Sequence, residues 1–176
     1  MSDPIGDFLD REIERESFPS AAALVGTGDR VTHAVFRNSA SDALWDLASL
    51  TKVLATASLA RKVGGGDLAW DRSVGEYLPD FKRTRFEDIR VWHLAAHVSG
   101  LPAWRPLYAS GFGAGAYRRA LASLEPETPP GAAVVYSDLG TLVFGEILEQ
   151  VLSEPLDRAF LREVAASAGS GARFAP

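Results

Sequence analysis

Apolar residues recur every three or four positions in several stretches of the chain, with charged residues between them. That spacing gathers the apolar side chains on one side of a helix, so it predicts amphipathic helices. The pattern is strongest where Leu142, Val143, Ile147 and Val151 fall in phase. Helices are predicted over 4–16, about 49–63, 88–97, 117–124, 139–152 and 155–166.

Two short apolar runs near the N-terminus have the composition of strands. Residues 21–25 and 31–36 flank the turn-forming stretch Gly26-Thr-Gly-Asp29, and this arrangement predicts a β-hairpin. An isolated two-stranded hairpin is only marginally stable in water. The order of one helix, one hairpin and then almost only helices therefore leaves the predicted sheet short of strands.

The composition is that of a folded domain and excludes several classes of function. The 176 residues are 47% hydrophobic and 23% charged, which is typical of globular proteins. A net charge of -5 argues against nucleic-acid and membrane partners, and the absence of cysteine excludes disulfides and thiolate metal sites. The first residues lack the features of a secretory signal, and no apolar run approaches the ~18 residues of a membrane span. We therefore expect a cytoplasmic protein.

Ser49 and Lys52 lie three positions apart at the start of the second predicted helix. This spacing puts both side chains on one side of the helix. A lysine whose pKa is lowered by desolvation can take the serine proton and create a nucleophile, and the helix N-terminus offers N–H groups to an oxyanion. Lys52 stands in an apolar stretch of a chain that prefers arginine. The alternative is a serine that caps the helix and a lysine that faces solvent.

Tyr136-Ser-Asp138 forms a second candidate, at a strand-like end just before the helix predicted over 139–152. A phenol near a lysine ammonium can shuttle a proton, because the cation favours the phenolate. The alternatives are an ordinary half-buried aromatic for Tyr136 and a helix N-cap for Asp138.

Metal and phosphate sites have little support in the sequence. His93 and His97 are four positions apart on a predicted helix, but no glutamate or third ligand accompanies them. A buried, hydrogen-bonded imidazole is the better interpretation of His97. The glycine-rich stretches 64–66 and 111–115 match neither a dinucleotide fingerprint nor a P-loop, so we expect no metal and no cofactor.

The order of these motifs resembles the serine beta-lactamase-related family, which includes class C-type beta-lactamases, D-alanyl-D-alanine peptidases and similar esterases. The resemblance extends from about residue 5 to residue 176, and the stretch from His93 to Pro102 looks like the family's Leu-Leu-Thr-His-Thr-Ser-Gly-Leu-Pro segment. The similar segments are 45–52, 66–68, 77–79, 93–102, 130–131 and 136–138.

The resemblance implies a role for each candidate residue. Ser49 would be the acylated nucleophile, and Lys52 the base that activates it. Tyr136 would pass a proton to the leaving group, and His97 would be structural. Asp138 would contact substrate, at a position where many members carry asparagine, and its carboxylate could pair with Lys52.

The fold implied by the resemblance is α/β (α+β) and beta-lactamase/transpeptidase-like, an antiparallel sheet flanked by helices plus a helical lobe. Residues 1–60 would hold the hairpin and nucleophile helix, 61–153 most of the helical lobe, and 154–176 a return helix and tail. Nothing after Asp138 matches the family's third motif, Lys-Thr-Gly or His-x-Gly. We therefore expect the chain to be the N-terminal part of one domain, completed by a second polypeptide or a swapped copy.

The function implied is a serine hydrolase that forms an acyl-enzyme at Ser49 and hydrolyses a small-molecule ester or amide. The substrate would be a beta-lactam, a D-alanyl peptide or a small ester, and activity would need the complementing C-terminal half. One alternative is a truncated, inactive fragment or binding remnant of the family. Another is a helical interaction module in which the Ser-x-x-Lys spacing is accidental.

Overall fold

The computed structural model describes residues 3–82, 84–111, 113–167 and 171–174. The chain forms two compact units, Met1–Leu47 and Ala48–Pro176. The helices are α1 (Pro4–Glu14), α2 (Ser58–Val63), α3 (Val74–Tyr77), α4 (Val91–Ala95), α5 (Ala114–Ala122), α6 (Asp138–Leu152) and α7 (Leu156–Phe160). The strands are β1 (Ala21–Thr27) and β2 (Arg30–Arg37); π-helical segments span Lys52–Ala57 and Leu161–Ala165, and 3-10 helices span Pro79–Phe81 and Leu107–Ser110.

The first unit consists of α1 and the hairpin. The Asp3 carboxylate accepts the Gly6 N–H at the start of α1, so the helix begins with a capped end. β1 and β2 pair antiparallel from Ala21 with Arg37 to Thr27 with Arg30. The predicted helix and the predicted hairpin are both confirmed, with element ends shifted by at most two residues.

The second unit is helical and packs around one apolar core. Of the side chains that recur in phase along α6, Val143 and Ile147 are fully enclosed there together with Leu148, whereas Leu142 is 49% exposed. Every helix predicted from residue 49 onward is present. The largest enclosed side chains besides those of α6 are Leu59, Leu68, Val74, Phe81, Phe86, Ile89, Val91, Leu94 and Leu101.

Three local features differ from the prediction. The helix predicted over 88–97 spans only Val91–Ala95, because His97 adopts a left-handed φ of 57° that no α-helix continues through. The helix predicted from Ser49 is π-helical over Lys52–Ala57, and hydrophobic spacing carries no signal for that change. The strand-like interpretation of the segment before Tyr136 is wrong, since residues 133–137 join no strand.

Gly100 offers a test of how tightly the loop after α4 is packed. Its φ is +79°, and a Cβ built there would lie 2.0 Å from the Thr128 carbonyl oxygen. Gly131 has a similar φ of +83°, but a Cβ there meets nothing within 4 Å. We expect Gly100→Ala to lower the free energy of unfolding by more than about 3 kcal/mol and Gly131→Ala by about 1–2 kcal/mol, measured by denaturant unfolding. Equal losses in the two variants would contradict the clash.

Candidate active site

Ser49 lies at the entrance of the helix formed by the π-helical segment Lys52–Ala57 and α2, called here the Ser49 helix. The serine is exposed, and its carbonyl accepts the Lys52 N–H at 3.0 Å. The residue before it, Ala48, has a φ of 43°, a left-handed conformation that costs an L-residue about 1–2 kcal/mol. Backbone strain of this kind concentrates at functional positions, where the surrounding structure holds it in place.

Lys52 links Ser49 to Asp138. Its Nζ donates a hydrogen bond to Ser49 Oγ at 3.0 Å and lies 2.7 Å from Asp138 Oδ1. The side chain is only 18% exposed, so the alternative of a lysine that faces solvent is wrong. The pairing of Asp138 with Lys52, expected from the resemblance, is confirmed.

The electrostatics of Lys52 correct one sequence-based assumption. Burial by itself lowers the pKa of Lys52, but the Asp138 carboxylate and the Tyr136 phenol outweigh burial and raise that pKa above its ordinary value. The expected lowering of the lysine pKa is therefore wrong. At neutral pH, Lys52 is an ammonium held between a hydroxyl and a carboxylate.

Tyr136 completes the group. The Lys52 Nζ lies 5.0 Å from the centre of the tyrosine ring, and the tyrosine side chain is 56% exposed. Hydrogen bonds from Ser49 and Lys52, together with the lysine charge, lower the pKa of Tyr136. The ionised form of the phenol is therefore favoured beside Lys52.

The segment that carries Tyr136 is fixed by the loop after α4. The Val135 N–H donates to the His97 carbonyl at 2.8 Å, and the Asp138 N–H donates to the Ala103 carbonyl at 2.9 Å. Between them, the Ser137 N–H donates to His97 Nδ1 at 3.1 Å. These bonds hold the tyrosine backbone from both sides.

Ser137, rather than Asp138, is the N-cap of α6. Its hydroxyl oxygen accepts the Gly140 N–H at 2.9 Å and donates to the Pro102 carbonyl at 2.7 Å. The alternative of an Asp138 N-cap is therefore wrong. Because the cap is made by its neighbour, the Asp138 carboxylate is free to turn toward Lys52.

Neither His93 nor His97 has the surroundings of a metal ligand. His97 packs against the Tyr136 ring at 4.6 Å, and burial, with the nearby Lys52 charge, lowers its pKa. His93 is buried and accepts the Arg90 N–H at 3.0 Å. Within the ranges described, no group of three or more histidine and acidic residues could hold a metal ion. The hydrogen bond expected for His97 is present, because its Nδ1 accepts the Ser137 N–H, but the side chain is half-buried rather than buried.

A cavity of about 670 Å³ opens beside Ser49, and no pattern in the sequence predicts it. Trp104, Tyr108 and Tyr117 line it together with the acidic side of α6. The stretch 103–114 has no hydrophobic period, so only its aromatic residues could have signalled a surface there. Ser49, Lys52 and Asp138 also line this cavity.

A sequence profile of the Beta-lactamase family matches residues 6–173. The chain belongs to the beta-lactamase family. Among curated relatives of this beta-lactamase-family chain, a putative D-alanyl-D-alanine carboxypeptidase from Salmonella agona is 32% identical over 133 residues. That match covers 67% of the chain and 31% of the relative, so the chain spans about a third of the curated relatives it matches.

Solved structures show the same fold. The crystal structure of a putative beta-lactamase from Bacteroides dorei matches with a TM-score of 0.83 at 23% identity, over 94% of this chain and 51% of that chain. EstCE1, a hydrolase with promiscuous acyltransferase activity, matches with a TM-score of 0.72 at 21% identity, over 93% and 50%. The predicted beta-lactamase/transpeptidase-like fold is therefore confirmed.

Two further findings concern the share of the matched structures that the chain covers and the length of its helices. The chain covers about half of each of these structures, so the activity of the whole protein is a matter for proposal. Among the helices of the described residues, none is long and apolar enough to span a bilayer. The boundaries at residues 60 and 153 stay predictions.

Proposed function

We propose that this chain carries the nucleophile of a serine hydrolase that is acylated at Ser49 by an ester or amide and then deacylated by water. One observation carries the proposal: Lys52 Nζ donates to Ser49 Oγ at 3.0 Å and lies 5.0 Å from the centre of the Tyr136 ring, and Ser49 and Lys52 line a cavity. Family membership supports a hydrolase of the serine beta-lactamase type.

Tyr136 rather than Lys52 serves as the base in this proposal. The serine hydroxyl gives its proton to the tyrosine oxygen as Oγ attacks the acyl carbon, and Lys52 stays protonated and stabilises the phenolate. Tyr136 then returns that proton to the leaving oxygen or nitrogen as its bond to the acyl carbon breaks. The raised pKa of Lys52 and the lowered pKa of Tyr136 favour this division of roles.

Deacylation repeats the acylation steps in reverse order, with water as the nucleophile. Water loses a proton to Tyr136, its oxygen bonds to the acyl carbon, and the bond to Ser49 Oγ breaks as the serine regains a proton. The Ser49 N–H, at the start of its helix, is one donor for the oxyanion formed in each half-reaction. Small esters, D-alanyl peptides and beta-lactams all present an acyl carbon of the required kind.

The proposed enzyme includes protein that covers the apolar side of the Ser49 helix. Leu50, Val53 and Leu54 are 60%, 64% and 40% exposed next to the serine. Apolar surface of this kind beside a site is typical of an interface. The covering segment belongs to the same polypeptide, a second polypeptide or a swapped copy, and an inactive binding remnant is the competing function.

A serine-reactive fluorophosphonate tests the proposal by intact-mass spectrometry of the full-length protein. We expect one adduct per chain, lost in Ser49→Ala and retained in Ser58→Ala. The spectrum of the untreated sample also shows whether a second polypeptide accompanies the chain. No adduct in the wild-type protein, or an adduct that persists in Ser49→Ala, would contradict a nucleophilic Ser49.

The pH dependence of this labelling tests the roles of Lys52 and Tyr136. The reactive form has an ionised Tyr136 and a protonated Lys52. The rate should therefore rise with pH through the tyrosine pKa, below its ordinary value of about 10, and fall through the lysine pKa. Asp138→Asn removes a negative charge that raises the pKa values of both Lys52 and Tyr136. The rise in rate on the acid side and the fall on the alkaline side, called here the acid limb and the alkaline limb, should therefore both move to lower pH.

The matched control for this pH profile is Asp88→Asn, which removes an exposed carboxylate outside the cavity. Its limbs should coincide with those of the wild-type protein. A profile that moves to higher pH in Asp138→Asn, or that moves equally in both variants, would contradict the assigned contacts of Asp138.

A further inference from the structure

The loop after α4 begins at a histidine whose backbone is strained. His97 has a φ of 57°, the left-handed conformation, one position past Ala96, the residue that caps the end of α4. Helices commonly end in this conformation, but the residue found there is usually glycine, because other residues incur a steric cost. Histidine at this position therefore goes against a local preference. A native residue that does so is a candidate for a functional role.

The backbone and the side chain of His97 both bond to the segment that carries Tyr136. The His97 carbonyl accepts the Val135 N–H at 2.8 Å, and the His97 Nδ1 accepts the Ser137 N–H at 3.1 Å. One residue thus bonds to the neighbours of the tyrosine on both sides. Residues 133–137 lie outside every helix and strand of the described part of the chain. Hydrogen bonds such as these, and not a sheet ladder, therefore position the tyrosine backbone.

The imidazole of His97 also contacts the tyrosine side chain. The two ring centres are 4.6 Å apart, and the ring planes are inclined by 40°. Lys52 Nζ lies 5.0 Å from the centre of the same tyrosine ring. Loss of the imidazole would remove one neighbour of the phenol and let the tyrosine turn away from the ammonium.

The hydrogen bond to Ser137 needs a neutral imidazole. Nδ1 must carry a lone pair to accept an N–H, so the proton of the neutral ring lies on Nε2. Burial and then the Lys52 charge lower the pKa of His97, while the Asp138 carboxylate acts in the opposite direction. Burial and the charge on the Ser49 helix outweigh the carboxylate of α6. His97 is therefore in its accepting form at neutral pH.

From this geometry we infer that His97 is the positioning residue of Tyr136: it holds the phenol beside Lys52 and so sets the rate at which the tyrosine takes the serine proton. His97 acts through the tyrosine and exchanges no proton with the substrate. The inference rests on the proposed role of Tyr136 as the base and extends it to a residue outside the reacting groups.

Fluorophosphonate labelling of Ser49 in the full-length protein measures the effect of His97 on the reaction. His97→Gly removes the imidazole and leaves a residue suited to the left-handed backbone. We expect the second-order rate constant of labelling to fall by about 30-fold or more, because a small misplacement of a proton-transfer group is costly. Relief of strain opposes the loss of one hydrogen bond, so Tm should stay within about 4 °C of the wild-type value. An unchanged rate of labelling would overturn the inference.

His97→Asn tests the hydrogen bond itself. Asparagine tolerates left-handed backbone, and its Oδ1 is the same number of bonds from Cα as the histidine Nδ1, so it can accept the Ser137 N–H. We expect this variant to be labelled within about 5-fold of the wild-type rate. An asparagine variant as slow as the glycine variant would contradict the hydrogen bond as the cause.

His93→Gln is the matched control for these exchanges. The His93 Nδ1 also accepts a backbone N–H, that of Arg90, at 3.0 Å. His93 is the third residue of α4, where a glutamine side chain can make the same bond to the cap residue. Labelling should proceed at the wild-type rate, and a loss as large as that in His97→Gly would contradict a role specific to His97.

A double-mutant cycle with Tyr136→Phe distinguishes positioning of the tyrosine from general support of the fold. His97→Gly should change the rate of labelling by less than about twofold in the Tyr136→Phe background, because no phenol remains to be positioned. An equal loss in both backgrounds would show that His97 does not act through the tyrosine and would overturn the inference.

The titration of Tyr136 separates failure of this inference from failure of the proposed function, because it requires no reaction. NMR spectra of protein with ¹³C-labelled tyrosine, assigned with Tyr136→Phe, report the pKa of the phenol. His97→Gly should raise the Tyr136 pKa toward its ordinary value of about 10, because the phenol moves away from Lys52, and His93→Gln should leave that pKa unchanged.

The two readouts fail independently. A wild-type protein that is not labelled at Ser49 would overturn the proposed hydrolase, and the titration would still decide the role of His97. A Tyr136 pKa that His97→Gly leaves unchanged, in a protein labelled at Ser49, would overturn the role of His97 alone.

Discussion

Ser49→Ala is expected to lower kcat/KM for ester hydrolysis by about 10⁴-fold or more. The hydroxyl is the atom that becomes acylated in the proposed cycle, and removal of a serine nucleophile elsewhere costs on the order of 10⁶-fold in kcat. Steady-state kinetics of the full-length protein measure the effect, with thermal unfolding recorded beside it to establish that the variant is folded.

Ser58→Ala is the matched control, because Ser58 lies two turns further along the same helix. Its hydroxyl donates to the Val53 carbonyl at 3.1 Å, away from Ser49. We expect activity within a factor of two or so of the wild-type value, as for most exposed substitutions. Substantial hydrolysis by Ser49→Ala would remove the basis of the proposal.

Lys52→Met is expected to lower kcat/KM by about 10²–10⁴-fold, the usual contribution of a group that supports proton transfer and stabilises developing charge. Methionine keeps much of the length of lysine but leaves Ser49 without its donor and Asp138 without its cation. The Tyr136 pKa should rise when the ammonium is lost, so the acid limb of the pH profile should move to higher pH.

Lys62→Met is the control for the loss of a lysine from the Ser49 helix. Lys62 lies in α2 and pairs with Glu163 at 2.8 Å, away from the cavity. Its loss should leave both the rate and the pH profile near those of the wild-type protein. An acid limb that stays in place in Lys52→Met would show that the ammonium does not act on Tyr136.

The sequence predicts the helices and the hairpin because each depends on local spacing and on capping or turn residues. α6 is the clearest example, with four apolar side chains in phase along a long segment. The Ser49–Lys52 contact could be predicted for the same reason, because three residues along a helix fix which side chains meet.

Features that depend on contacts between distant segments could not be predicted from local patterns. The direction of the Lys52 pKa shift depends on Asp138, which is 86 positions away in the chain. The N-cap at Ser137 depends on the loop after α4, and two adjacent residues had equal propensity for the role. The aromatic cavity brings residues of an aperiodic stretch beside α5 and α6, and nothing in their spacing indicates it.

The left-handed backbone at Ala48 sets a trade-off between stability and activity for any engineered form of this protein. Glycine adopts that conformation without steric cost, so replacing the alanine would relieve strain in the folded state. The same replacement would widen the range of positions open to the neighbouring serine, whose oxygen must stay within reach of both Lys52 and Tyr136. Selection for heat resistance and selection for turnover should therefore favour different residues at this one position.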